Sequence, residues 1–244
     1  MKSNVRIVFA IAALALAALA CQAISGGGND TPPVDVNPPD IPPTEGPIID
    51  IPPIFGGGGT LLSDDFSSEQ WGTGTDADSS VEYANETLQF IVFTTNYFVW
   101  STPDDVDYSN VHIEVTALNN STDPTTAFGI ICNMQVTDTS YYFAITPAGQ
   151  YAIGESSVAI DDVFLTNNDA WADSDLITPN ASSYRIGADC ASNGTLTLYV
   201  DGQQVDSVND TSYTSGNVAL MTWSGEEASG ANVSFDDFEM TELP

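Results

Sequence analysis

The sequence predicts an all-β fold, a two-sheet antiparallel sandwich or jelly roll standing behind a disordered stalk. Three observations predict it. About a dozen short runs rich in Val, Ile, Phe, Tyr and Thr alternate with Gly, Asn, Asp and Pro turns from Leu61 onward. No window sustains a helical period. Aromatic residues make up 10% of the 244 residues while Lys and Arg together number 3, a composition that suits strands and turns better than helices.

The strand runs lie at 61–66, 87–93, 97–101, 111–118, 127–136, 140–146, 150–154, 183–190, 195–200, 203–208, 218–223 and 233–240. Asp201-Gly202 joins two of them and is a strong hairpin signal, because both positions of a tight type I′ turn need left-handed backbone. Runs this short bury little singly, so they must pack as two sheets around one core. That domain occupies residues 61–244.

Residues 1–20 read as an export signal. Lys2 and Arg6 give the positive start, Ile7 to Leu19 is continuously apolar, and small residues precede Cys21. The apolar run is short for a membrane span. Two cleavage readings compete: Ala18-Leu19-Ala20 fits ordinary signal peptidase, while the same stretch with Cys21 resembles a bacterial lipobox. In the second, Cys21 is lipidated and becomes the mature N-terminus, although Ala18 and Leu19 are interchanged relative to the usual lipobox order. Lipidation is preferred, since Cys21 would otherwise be an unpaired thiol. Residues 21–60 hold nine of the 14 prolines between two glycine-rich joints, which makes them an extended polyproline-like stalk. The expected location is the outside of the membrane, tethered by lipid or, in the alternative, secreted.

Charge excludes one large class of function. Beyond the leader a single arginine, Arg185, faces all 34 acids, a formal charge of −33. Such a surface repels phosphate backbones and anionic headgroups, so neither nucleic acid nor a membrane surface is a partner; membrane contact is left to the lipid. Cys132 and Cys190 remain as an even pair in an oxidising compartment. By strand parity both lie on the apolar side of their runs, and a disulfide between them is expected.

Several motifs together resemble the concanavalin A-like, laminin-G-like jelly-roll domains of bacterial surface lipoproteins. They are Leu62-Ser-Asp-Asp-Phe66 with Trp71 following, Val99-Trp-Ser-Thr-Pro103, Val111-His-Ile-Glu-Val115 and Phe128-Gly-Ile-Ile-Cys132. Tyr141-Tyr-Phe, Tyr184-Arg-Ile, Leu196-Thr-Leu-Tyr-Val-Asp-Gly202 and the closing Phe235-Asp-Asp-Phe238 complete the set. The resemblance implies that the first and last strands pair and bring the two Asp-Asp-Phe motifs side by side. It says little about activity, because this superfold hosts lectins, enzymes and spacers alike.

Catalytic residues are not recognisable. The laminarinase-type hydrolases on this fold carry Glu-x-Asp-x-(x)-Glu on one strand, and the chain has no such motif; Glu114 stands alone. A single histidine rules out a His-based metal cluster of the ordinary kind.

Strand parity gives a candidate ligand face instead. Opposite the apolar sides lie His112, Glu114 and Thr116, then Asn133 and Gln135, then Tyr142, Arg185, Asp189, Thr197 and Tyr199. If these strands share a sheet, His112, Glu114, Asn133, Gln135, Tyr142, Arg185 and Tyr199 form a face of amides, rings and charges suited to sugar recognition. An ordinary solvated face with Arg185 paired to Asp189 or Glu114 is the other reading. A second candidate is a structural calcium held by Asp64, Asp65, Asp236 and Asp237, against turn-forming and edge-protecting aspartates. The expected function is a surface-tethered, non-catalytic module that binds extracellular glycans. The alternatives are a structural or adhesive protein contacting other surface proteins or itself, and a glycoside-active enzyme of the same fold.

Overall fold

A computed structural model describes residues 58–136, 139–157, 162–225 and 230–244. The leader, Cys21 and the stalk up to residue 57 lie outside the described residues. The described strands are β1 (Thr60–Asp64), β2 (Gly74–Thr75), β3 (Ser79–Ala84), β4 (Thr87–Val92), β5 (Phe98–Ser101), β6 (Val111–Asn119), β7 (Ala127–Met134) and β8 (Thr139–Ile145). They continue as β9 (Gln150–Ser157), β10 (Val163–Phe164), β11 (Ala172–Asp173), β12 (Ser183–Cys190), β13 (Thr195–Val200), β14 (Gln203–Asn209), β15 (Asn217–Trp223) and β16 (Ala231–Glu242).

They form the antiparallel two-sheet jelly-roll sandwich that the sequence predicts. A nine-stranded sheet runs β14-β13-β12-β6-β16-β4-β3-β2, with β1 also on β16, and a seven-stranded sheet runs β10-β9-β8-β7-β15-β5, with β11 on β9. β1 pairs with β16, opposing Asp64 to Phe238, so the two Asp-Asp-Phe motifs do meet. The pairing of β16 with β6 shifts register between Asp236 and Glu239, and Asp237 is left-handed at φ 49°. That bulge is why Phe235 and Phe238, three residues apart, both reach the core.

The core between the sheets is built from alternate residues of both, including Phe90, Ile113, Val115, Phe128, Ile130, Phe143, Ile186, Leu198, Leu220 and Phe235. Cys132 of β7 and Cys190 of β12 are joined by a disulfide across this core, with Cα atoms 6.6 Å apart. Asp201-Gly202 turns β13 into β14 with both residues left-handed, φ 50° and 73°, as its sequence demands.

Four strands were not legible in the pattern: β2, β3, β10 and β11. The hairpin between β3 and β4 turns on Asn85-Glu86, at φ 54° and 60°, without the glycine that marks such turns. β2, β10 and β11 are two residues each and exist only through pairing with a neighbour.

The Asp64 motif closes one end of the sandwich. Asp64 Oδ1 accepts the Phe66 amide at 2.8 Å and Oδ2 accepts Trp71 Nε1 at 3.0 Å. The first bond holds Phe66 at φ 54°, a conformation unfavourable for an aromatic residue. The second docks Trp71 between Phe66 and Phe238, at ring distances of 5.6 and 5.0 Å.

Candidate functional site

The seven residues expected on one polar face are divided between the two sheets. His112, Glu114, Arg185 and Tyr199 share the outer face of the nine-stranded sheet. Asn133 and Tyr142 belong to the seven-stranded sheet, and Gln135 lies just past the end of β7. Parity tells which side of its own strand a residue occupies, but not which sheet the strand joins.

On the nine-stranded sheet, β6 and β12 are in a register that opposes Asp189 to His112 and Gly187 to Glu114, and β13 brings Tyr199 opposite Gly187. His112 Nδ1 lies 2.6 Å from Asp189 Oδ1 and Nε2 lies 3.4 Å from Glu114 Oε1. Arg185 donates through Nη2 and Nε to Glu114 Oε2 at 3.1 and 3.2 Å, and through Nη1 to Thr116 Oγ1 and to the Asp237 carbonyl at the bulge. The Tyr199 hydroxyl donates to Asp189 Oδ2 at 2.8 Å. Gly187 leaves the space in the middle: a Cβ there would stand 3.2 Å from the Tyr199 Cβ. Burial opposes a charge on His112, but hydrogen bonds and the charges of Asp189 and Glu114 outweigh it and raise its pKa to about 9. His112 in turn lowers the Glu114 pKa, against burial and with help from Arg185. Two cations and two carboxylates therefore satisfy one another.

The seven-stranded sheet carries a different outer face. There Ala127, Ile131, Tyr142, Ala144, Ala152, Ala219 and Met221 form a second apolar cluster, separate from the inter-sheet core. Over it opens a groove of about 270 Å³ whose lining includes five aromatic side chains, Phe98, Tyr142, Phe164, Trp171 and Trp223. Ala127, Ala144 and Met221 contribute shorter side chains, and Asn96 and Asp162 are polar residues among the described lining.

Local sequence explains how these rings are set. Gly154 stands opposite Tyr142 on one side and Phe164 on the other. A Cβ on Gly154 would come within 2.3 Å of the Tyr142 ring, so only glycine lets that ring lie over β9. Phe164 meets Tyr142 edge-on at 6.3 Å and Trp171 at 5.4 Å. Between Phe164 and Trp171 the chain reverses through Asn167, Asn168 and Asp169, all left-handed. Asn and Asp tolerate that conformation best among non-glycine residues. Asp169 Oδ1 accepts the Phe164 amide at 2.8 Å and Asn167 Nδ2 donates to the Trp171 carbonyl at 2.6 Å, which braces the reversal. Burial raises the Tyr142 pKa, and the Asp162 and Asp169 charges raise it further, so its hydroxyl keeps its proton.

No protein-family model and no curated protein sequence matches the chain. The fold has many counterparts among solved structures. It is similar to the carbohydrate-binding module CBM66 from Bacillus subtilis, at 13% identity and TM-score 0.55 over 71% of this chain and 96% of that one. A Bacillus subtilis protein of unknown function with a galectin-like fold matches at 9% identity and TM-score 0.57, over 78% of this chain and 98% of that one. The Bacillus licheniformis β-glucanase matches at 12% identity and TM-score 0.51, over 77% and 99%. At these identities the likeness is one of fold.

Asn133 and Gln135 hold a loop rather than face solvent as a pair. Asn133 is buried, left-handed at φ 50°, and its Nδ2 donates to the Tyr213 carbonyl at 3.0 Å. Gln135 Nε2 donates to the carbonyls of Asn133 and Ser215 at 2.8 and 2.7 Å. The irregularity at Asn133 also turns Met134 onto the second apolar cluster.

Of the four aspartates expected to hold calcium, three share one depression and Asp64 is turned away from it. Asp64 is turned inward and engaged by Phe66 and Trp71, because its bonds hold the end of the sandwich. Asp65, Asp236 and Asp237 line a depression with Ser67, Asn85 and Glu86. Among the described residues no three acids are grouped so as to hold a metal ion. Burial raises the Asp236 pKa, and the charges of Asp237, Asp65 and Glu86 add to the shift.

Proposed function

We propose that the domain is a non-catalytic glycan-binding module displayed outside the membrane, and that its site is the aromatic-lined groove of the seven-stranded sheet. The observation that carries this is the convergence of Phe98, Tyr142, Phe164, Trp171 and Trp223 on one groove above short side chains. Pyranose rings present apolar C–H faces that stack on aromatic rings, while hydroxyls take the few polar groups at hand. Among the described residues the groove's lining holds one carboxylate, Asp162. Ordinary glycosidic hydrolysis uses two, placed across the bond, so this favours binding over cleavage. Solved structures of similar fold include a carbohydrate-binding module and a β-glucanase, which is consistent with a sugar ligand. Tethering through Cys21 and the stalk rests on the sequence alone.

The test is a glycan array with the exported chain and its Trp171→Ala and Trp223→Ala variants. Binding by the parent, lost in both folded variants, is the expected result. Binding that survives both substitutions and falls with His112→Ala would move the site to the other sheet.

A further inference from the structure

The groove does not account for every ring on its face. β5 is the edge strand of the seven-stranded sheet, and its pairing with β15 opposes Phe98 to Trp223 and Trp100 to Met221. Met221 and Trp223 lie on the outer face, so Phe98 and Trp100 do as well. Trp100 stands 5.9 Å from Phe98 at an interplanar angle of 34°, and is 42% exposed. It also lines a neighbouring depression with Thr73, Thr75, Ser101 and Thr102, whose small polar groups suit hydroxyl recognition. From Tyr142 on β8 to Trp100 on β5 the face crosses three strand spacings, roughly 14 Å at ~4.8 Å each. That is longer than a single sugar ring.

Charge restricts the ligand further. Lys2 and Arg6 lie in the leader, which leaves Arg185 and His112 as the only cationic side chains of the domain. Both are engaged on the opposite sheet, Arg185 with Glu114 and His112 with Asp189 and Glu114. The groove itself contains Asp162, and Asp169 lies near enough to act on Tyr142. A sulfate or uronate brought here meets carboxylates and finds no partner, while losing its hydration.

Resting on the glycan-binding reading above, we infer that the ligand is an uncharged oligosaccharide of more than one unit, running across the strands from Tyr142 to Trp100. The aromatic row and the absence of any available cation together select it. Acidic polysaccharides are repelled by the same acidic surface.

The experiment is calorimetric titration of the exported chain with neutral gluco-, xylo-, manno- and galacto-oligosaccharides of two to six units, beside uronate-containing and sulfated oligosaccharides of matched length. At least one neutral series should bind, its affinity rising with length and then levelling, and the anionic series should bind at least tenfold more weakly at moderate salt. Trp100→Ala should weaken the longer neutral chains by roughly tenfold, the scale of one lost ring contact, and leave the shortest bound chain unchanged. Trp171→Ala should weaken long and short chains alike. If Trp171→Ala abolishes binding but Trp100→Ala changes nothing at any length, the extended site is wrong while the glycan module stands. Equal or tighter binding of the acidic series would overturn the charge argument in the same way. Failure of every saccharide in the panel would remove the glycan reading and this inference with it.

Discussion

The two sheets present opposite kinds of outer face. On the nine-stranded sheet, His112, Glu114, Arg185, Asp189 and Tyr199 are locked in mutual hydrogen bonds and ion pairs. On the seven-stranded sheet, rings surround shorter side chains and the Tyr142 hydroxyl is raised in pKa by burial and carboxylate charge. The polar face looks more like a binding site in the sequence, yet its groups already have partners. A ligand there would have to replace bonds; a ligand in the groove would displace water chiefly from apolar surface. The pairing of Tyr with acids extends beyond that face: Tyr108 with Asp104, Tyr141 with Asp210, Tyr151 with Asp206 and Tyr213 with Glu155. In a chain this poor in Lys and Arg, tyrosine hydroxyls serve as donors to carboxylates.

The contrast between the faces presupposes that the two sheets stay in register across the core, and the Cys132–Cys190 disulfide is the covalent link between them. The bond closes a loop spanning 58 residues. The chain-entropy view values such a closure at about 4 kcal/mol, the largest single effect expected here. Replacing both cysteines by alanine, or reducing the bond, should lower the melting temperature by roughly ten degrees in a domain of this size. A shift of less than a degree or two in calorimetry would mean that the packed core alone fixes the sheets.

Second in size is the polar network. The folded-state pKa of His112 is about 9, above its ordinary 6.5. The stability it contributes is therefore complete below about pH 6.5 and is lost as pH rises through about 9. The shift corresponds to about 3 kcal/mol for this buried ring. Glu114 acts at the other end: with its pKa lowered, its contribution is present above the usual carboxylate range and is lost as pH falls through the depressed value. Denaturant titrations from pH 5 to 10 should show a decline between pH 7 and 9 that His112→Phe removes, while glycan affinity at pH 6 stays unchanged. Loss of affinity in that variant would erase the distinction between the faces.

Much of this architecture is legible in the residues. Alternation places Cys132 and Cys190 on core sides and Asp201-Gly202 marks its hairpin, whereas the bulge that brings both Phe235 and Phe238 into the core is not read from the strand pattern. The membership of strands in sheets is not local information. Register between β6 and β12, 70 or so residues apart, emerges only when the whole core packs. The groove was hidden for a related reason. Phe164 and Trp171 flank an Asn-Asn-Asp reversal and meet the sheet through strands of two residues each. One signal was present: Tyr141-Tyr-Phe-Ala-Ile145 and Val218-Ala-Leu-Met-Thr-Trp223 are largely apolar at both parities. A strand apolar on both sides has its outer face covered or used.

Third comes the groove. Trp171→Ala and Trp223→Ala should each reduce glycan affinity at least tenfold, about 1.4 kcal/mol, in a chain that still melts cooperatively. Gly154→Val gives a sharper version, because its side chain would push the Tyr142 ring aside without touching Trp171 chemistry. If Gly154→Val folds and binds as the parent does, the ring over β9 is packing and not part of the site.

The smallest effect separates repulsion from metal binding at the end of the nine-stranded sheet. Asp236 is an acid whose folded pKa is raised, first by burial and then by Asp237, Asp65 and Glu86. Its ionisation therefore disfavours the folded state, and stability is regained as pH falls through that raised value. Asp236→Asn removes the charge at neutral pH and should stabilise the domain slightly, by no more than about 0.5 kcal/mol at this partly exposed position. The gain should shrink as salt is added, since screening over about 10 Å relieves the same repulsion in the parent. Because Asp64 is held by Phe66 and Trp71, calcium and magnesium at matched ionic strength should stabilise the parent equally. A calcium-specific rise that disappears in Asp236→Asn would show instead that Asp65, Asp236 and Asp237 close around the ion when it is supplied.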